Sequence, residues 1–141
     1  SNSSISFNNT TGISQLKNGN NNFIIGSSKV LSSSFEFDYQ LNNIFGKDNI
    51  NLTYSQPNRI EKGDMKFRLI GLSDKNGIIP YDDYIVELNP SGRQKDITLT
   101  YTREFDNSFK FGFKSVITDD LGHLKQNKLD TNFIFTGSLK F

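Results

Sequence analysis

One histidine, two pairs of adjacent aspartates and a few glycine-containing turns are the residues of this 141-residue sequence whose types could do chemistry. His123 closes the run Asp119-Asp120-Leu121-Gly122-His123. An imidazole beside carboxylates is the arrangement of a metal ligand or a general base. A lone imidazole is a poor metal centre without a second nitrogen or a thiol, and the sequence has no Cys. His123 therefore reads as a solvated loop residue. Asp82-Asp83 and Asp119-Asp120 read as turn residues. The run Asp74-Lys75-Asn76-Gly77 lacks the further acidic positions and the terminal Glu of a calcium loop. Ser91-Gly92-Arg93 lacks the glycine spacing, the lysine and the following helix of a phosphate loop. In Phe109-Lys-Phe-Gly-Phe-Lys114 the rings and the cations alternate, so they lie on opposite faces and form no stacking platform for bases. The reading predicts no catalytic, cofactor-binding or metal-binding residue, no cofactor and no nucleic-acid partner.

The elements that would carry these residues are strands. The sequence has no Ala and no Trp, Asn occurs 17 times, and Phe (13) with Tyr (5) supplies an aromatic content of 13% within an apolar total of only 34%. Such a composition disfavours helices and suits strands. It also holds too many aromatics for a chain disordered throughout. The net charge of +1 has its signs interspersed, which excludes a long-range basic field. The longest apolar runs, such as Leu69-Ile70-Gly71-Leu72, fall far short of a membrane helix. The opening SNSSISFNN has neither a basic nor an apolar leader segment, so a signal peptide, if the protein is exported, would lie upstream of Ser1.

Residues 1–34 are dominated by Ser, Asn, Thr and Gly and read as a leader carrying two weak strand patches, Ile13–Leu16 and Phe23–Ile25, separated by a turn-forming Asn/Gly run. From residue 35 to residue 141 the alternation is regular. It runs through Phe35–Leu41, Ile50–Ser55, Met65–Leu69, Tyr84–Leu88, Ile97–Thr102, Phe109–Lys114 and Phe133–Phe141. Period two in successive segments predicts an all-β antiparallel up-and-down meander. Asp106-Asn107, Asn76-Gly77, Asn89-Pro90-Ser91-Gly92 and Gln56-Pro57-Asn58 supply turn chemistry between the segments. One set of alternate positions is aromatic and aliphatic, the other holds Glu36, Asp38, Lys66, Arg68, Thr98, Thr100, Lys110 and Lys114. Two architectures share this pattern. A soluble β-sandwich turns the apolar face inward, whereas a transmembrane barrel turns it to lipid around a polar lumen. The runs 94–105, 108–118 and 131–141 match the roughly 9–11 residues of a tilted membrane strand better than the usual soluble strand. With the low apolar total and the terminal Phe141, they favour an outer-membrane-type β-barrel, or part of one, of about eight strands.

Ser55-Gln56-Pro57, Arg59-Ile60-Glu61-Lys62-Gly63, Pro90-Ser91-Gly92-Arg93 and Gly122-His123, in that order and spacing, resemble the C-terminal β-region of autotransporter-type subtilisin-like serine peptidases of Gram-negative bacteria. The resemblance spans about Phe35 to Phe141. The chain departs from the pattern in lacking Ala, in carrying Gln94 where an acidic residue is expected, and in being shorter than the usual translocator barrel. The resemblance implies residence in the cell outer membrane and a non-enzymatic translocator or anchor role for an N-terminal passenger domain of the same polypeptide, a subtilase. It implies outer-membrane lipid and the outer-membrane insertion machinery as partners. Phe133, Phe135, Gly137, Leu139 and Phe141 would form the C-terminal insertion signal. The peptidase chemistry does not come with it, because this sequence lacks the Asp, His and Ser motifs of the triad. The alternative expectation is a soluble β-sandwich accessory module that binds a partner or carbohydrate.

Overall fold

In the computed structural model the chain is described over residues 2–15, 23–73, 75–105 and 108–139. Nine strands occupy most of them: β1 (Asn2–Ser14), β2 (Ile24–Ser27), β3 (Val30–Asn42), β4 (Asp48–Lys62), β5 (Asp64–Ile70), β6 (Tyr81–Glu87), β7 (Lys95–Phe105), β8 (Phe109–Asp119) and β9 (Asp130–Leu139). A single 3-10 turn, Leu121–His123, interrupts the β8–β9 connection. The all-β antiparallel expectation holds. A six-stranded sheet follows chain order, β1-β3-β4-β7-β8-β9, and a three-stranded sheet has the order β2-β5-β6. The six-stranded sheet is not closed into a ring among the described residues: β1 and β9 stand at its two ends. The chain divides into two units, residues 1–10, 34–58 and 91–141 in the first, residues 11–33 and 59–90 in the second.

In the first unit the ladders are regular because the alternation is. β7 and β8 pair without a break from Lys95–Asp119 to Phe105–Phe109, and β8 and β9 from Phe109–Leu139 to Thr118–Asp130. Residues opposite one another share a face, so the registers sort the side chains into rows. One row crosses four strands as Ile50, Tyr101, Phe113 and Phe135, and the next on that face as Leu52, Leu99, Ser115 and Phe133. On the other face run Asn49, Thr102, Gly112 and Thr136, then Asn51, Thr100, Lys114 and Ile134. The two faces are as chemically distinct as the sequence predicted. In the second unit β5 pairs with β6 from Asp64–Glu87 to Ile70–Tyr81, and β2 adds to β5 through a register irregularity between Ile24 and Gly26. Phe23 packs on Phe67 there, ring centres 5.3 Å apart.

Among the described residues no apolar side chain is buried. The buried polar residues are Asp48, which accepts the backbone N–H groups of Ile44 and Phe45, and Thr118 at the far end of β8. Neither is an element of a core.

Three expectations about local structure need comment. Gln56-Pro57-Asn58 is not a turn: β4 runs through it to Lys62. The β4–β7 ladder ends at Ser55–Asp96, so Pro57, which has no N–H, breaks no rung to β7. The Ser/Asn-rich N-terminal stretch holds a 13-residue strand, β1, whose Phe7 meets Phe35 edge to face at 5.1 Å. The Asp106-Asn107 turn and the Asn/Gly run ahead of Phe23 lie outside the described residues, as do Asp74 and Phe141.

Candidate functional site

The apolar face of the first unit is the surface on which aromatic side chains concentrate. It is continuous across β4, β7, β8 and β9, and aromatic contacts tie its rows together: Phe35 with Tyr54 at 5.8 Å, Phe113 with Phe135 at 5.1 Å, Phe113 with Phe133 at 6.3 Å and Phe105 with Phe109 at 6.0 Å. Phe35, Tyr54 and Phe113 are half-buried among these contacts, whereas the β9 end of the face is open. Phe133 is 62% exposed, Phe135 69% and Leu139 63%. Ordered apolar side chains that are laterally packed and vertically uncovered form a patch that water solvates poorly.

The residues expected to form the C-terminal signal fall on this face. Phe133, Phe135, Gly137 and Leu139 occupy alternate positions of β9 opposite Ser115, Phe113, Phe111 and Phe109. A Cβ at Gly137 would meet the Phe109 ring at 3.6 Å, an ordinary van der Waals contact, so space does not require the glycine there. Phe141 is outside the described residues.

The opposite face is polar and internally hydrogen-bonded. Asp38 accepts Ser6 Oγ at 3.3 Å and Thr53 Oγ1, linking β1, β3 and β4. A shallow groove of about 310 Å³ lies nearby, lined by Asn8, Ser34, Phe35, Glu36, Ser55, Gln56 and Pro57.

At one end of the sheet the potential chemistry of the sequence gathers into a single polar clasp. His123 is half-buried and not the solvated loop residue the sequence suggests. Its Nδ1 accepts the backbone N–H of Gln94 at 3.1 Å, and its Nε2 lies 3.0 Å from the Asn58 carbonyl. Accepting at Nδ1 places the ring hydrogen on Nε2, which then donates to Asn58. The backbone carbonyl of His123 accepts Gly92 N–H at 2.8 Å. Asp120 accepts from the backbone N–H groups of Gln126 (2.8 Å) and Arg93 (3.3 Å). Those bonds, with Lys95 and Lys125 nearby, hold its carboxyl below the usual carboxylate range. Gly92 is obligatory in this packing. A Cβ there would lie 2.6 Å from the Lys125 nitrogen and 2.8 Å from an Asp120 oxygen.

Gln94 joins the clasp through both ends of its side-chain amide. Its side-chain amide donates to Asp96 at 2.9 Å while its Oε1 accepts Gly122 N–H at 2.9 Å. A carboxylate could take the second bond but would repel Asp96. Arg93 donates to Gln56 Oε1 at 3.0 Å, and Ser91 Oγ accepts Lys125 N–H at 3.1 Å. In the second unit Arg59 donates to Glu61 at 2.7 Å and to the Pro90 carbonyl at 2.7 Å, and Glu61 also accepts Ser33 Oγ at 2.5 Å.

The clasp does structural work. Both ring nitrogens of His123 and both oxygens of Asp120 are committed, and Ser91 has no base within these contacts. Of the other acidic pairs, Asp83 forms a two-point ion pair with Arg68 (2.8 and 3.0 Å), and Asp119 meets Lys95 at 3.3 Å. No cluster of three metal-ligating side chains occurs among the described residues. The chain matches no protein-family model, no curated protein and no solved structure.

Proposed function

We propose that this chain is a non-enzymatic outer-membrane β-barrel segment, the translocator or anchor part of an autotransporter, and that its apolar face meets lipid. The observation that carries the reading is the combination of a continuous aromatic face with the absence of any buried apolar side chain among the described residues. A water-soluble domain of this length keeps its net stability of about 5–15 kcal/mol only because apolar burial offsets the conformational entropy lost on folding. A soluble sandwich would need a buried apolar layer between its sheets. Lipid provides the missing apolar environment, while the Asn, Thr and Lys rows line a wet interior. The spans agree: β8 has 11 residues and β9 has 10, against the roughly 9–11 of a tilted membrane strand.

The six-stranded sheet is narrower than the smallest transmembrane barrels, which have about eight strands. Unpaired edges in lipid leave backbone groups without partners, so on this reading β1 and β9 close on each other or on further strands. The autotransporter part of the reading, with a subtilase as passenger and the outer-membrane insertion machinery as reader of the last strand, rests on the sequence resemblance alone. The experiment is refolding of the protein from denaturant with and without detergent micelles. A β-rich, monodisperse species is expected in micelles and aggregation in plain buffer. A monodisperse monomer in plain buffer would overturn the membrane reading.

A further inference from the structure

The β8–β9 loop has its polar and apolar groups arranged the opposite way from an ordinary surface loop. Residues 120–126 tie up polar atoms of the loop in hydrogen bonds. Asp120 takes the Gln126 and Arg93 amides, Gln126 Nε2 donates to the Leu121 carbonyl at 3.2 Å, Lys125 N–H goes to Ser91, and His123 is held on both sides of its ring. The apolar side chains are left outside: Leu121 is 48% exposed, Leu124 57% and Leu129 63%. Between and beside them stand Lys125 and Lys128, both exposed and in no ion pair among the described residues. The hydrogen-bonded stretch 120–126 presents Leu121, Leu124 and Lys125 to its surroundings, and Lys128 and Leu129 follow directly, also exposed.

Its height on the sheet says what those surroundings are. From Phe109 to Asp119, β8 rises by about 34 Å along the strand, and a tilt near 45° reduces that to roughly 24 Å, the thickness of the apolar band of a membrane barrel. At the starting end stand Phe105 and Phe109, stacked, with the Arg103 guanidinium 4.8 Å from the Phe105 ring. That is the aromatic and cationic composition of a membrane–water boundary. The loop emerges at the other boundary, directly beyond Asp119. We propose that residues 120–129 form a preformed anchor that seats its leucines among the outermost acyl segments and pairs Lys125 and Lys128 with anionic, phosphate-bearing lipid headgroups. The inference rests on the membrane reading above and adds a site and a lipid class to it.

The sequence has no Trp, so Leu124→Trp gives a single emitter on an exposed position without loss of a packed side chain. The protein carrying it is reconstituted into vesicles of phosphatidylcholine mixed with phosphatidylglycerol, with one or the other lipid brominated near the headgroup end of its chains. Blue-shifted emission is expected, quenched more strongly by brominated phosphatidylglycerol, with a preference of roughly fivefold per lysine at most. The preference disappears in the Lys125→Gln/Lys128→Gln background. Leu129→Trp repeats the measurement on the returning limb of the loop. Insertion of the protein with a water-like, unquenched tryptophan overturns the anchor and leaves the membrane reading standing. Equal quenching by the two lipids, unchanged by the lysine substitutions, overturns the headgroup pairing. A protein that fails to float with the vesicles at all overturns both.

Discussion

The His123 ring stands between two backbone segments, accepting the Gln94 N–H on Nδ1 at 3.1 Å and donating from Nε2 to the Asn58 carbonyl at 3.0 Å. The same residue sits at a φ of 60°, in the left-handed region. An unfavourable backbone conformation is thus held by the bonds of its own side chain, and the loop geometry depends on the ring.

His123→Ala removes both bonds and leaves the Gln94 amide with no partner on that side. At about 0.5–1.5 kcal/mol for each bond, the expected loss is roughly 1–3 kcal/mol in a denaturant titration of the micelle-folded protein. Limited proteolysis should then cut within residues 120–126. Unchanged stability and an uncut loop would show that the clasp is held elsewhere.

Asp120 gives the clasp a pH dependence of known sign. Its carboxyl is held below the unfolded value of about 3.9 by the Gln126 and Arg93 amides. The stability it contributes is therefore fully present above that value and is lost as pH falls through the lowered folded one. Asp120→Asn should be less stable than the parent near neutrality and converge on it in strong acid. Stability-versus-pH curves that stay parallel throughout would contradict the assignment.

Facing can be scanned by charge. Phe113, opposite Tyr101 and Phe135, lies on the apolar face near the middle of β8, and Phe113→Arg should cost about 2–4 kcal/mol in bilayers. Lys114, opposite Thr100 and Ile134 on the polar face, should tolerate Lys114→Gln with little loss. Equal damage from the two would refute the division of faces.

The last strand makes a prediction in cells. Deleting Phe141 from the full-length polypeptide should reduce outer-membrane insertion much more than expression, since Phe133, Phe135 and Leu139 already present the apolar face that an insertion machinery would read. Normal insertion and passenger display would make β9 an ordinary edge strand.

Strand positions and facing were legible because side-chain direction alternates with period two, and Ile97-Thr98-Leu99-Thr100-Tyr101 or Phe109-Lys110-Phe111 leaves no other reading. Pro57 misled because Gln-Pro-Asn has the composition of a turn, and only the end of the β4–β7 ladder at Ser55 reveals why a proline is tolerated there. β1 was faint because Ile5, Phe7 and Ile13 are its entire apolar content. The clasp was hidden for a different reason: its bonds join residues 29 and 65 positions apart, and nothing local in Asp119–His123 announces Gln94 or Asn58.

The most direct test of the central claim uses the absence of native Cys. Single cysteines introduced at Phe111, Phe113, Phe133 and Phe135, and separately at Thr98, Thr100, Lys110 and Lys114, are spin-labelled in the bilayer-reconstituted protein. Their collisions with oxygen and with a water-soluble nickel chelate are then compared. The account predicts that the first set collides with oxygen and is shielded from nickel, while the second shows the reverse, alternating residue by residue along β8. Nickel access on the aromatic face, or shielding of both faces from both reagents, would contradict it.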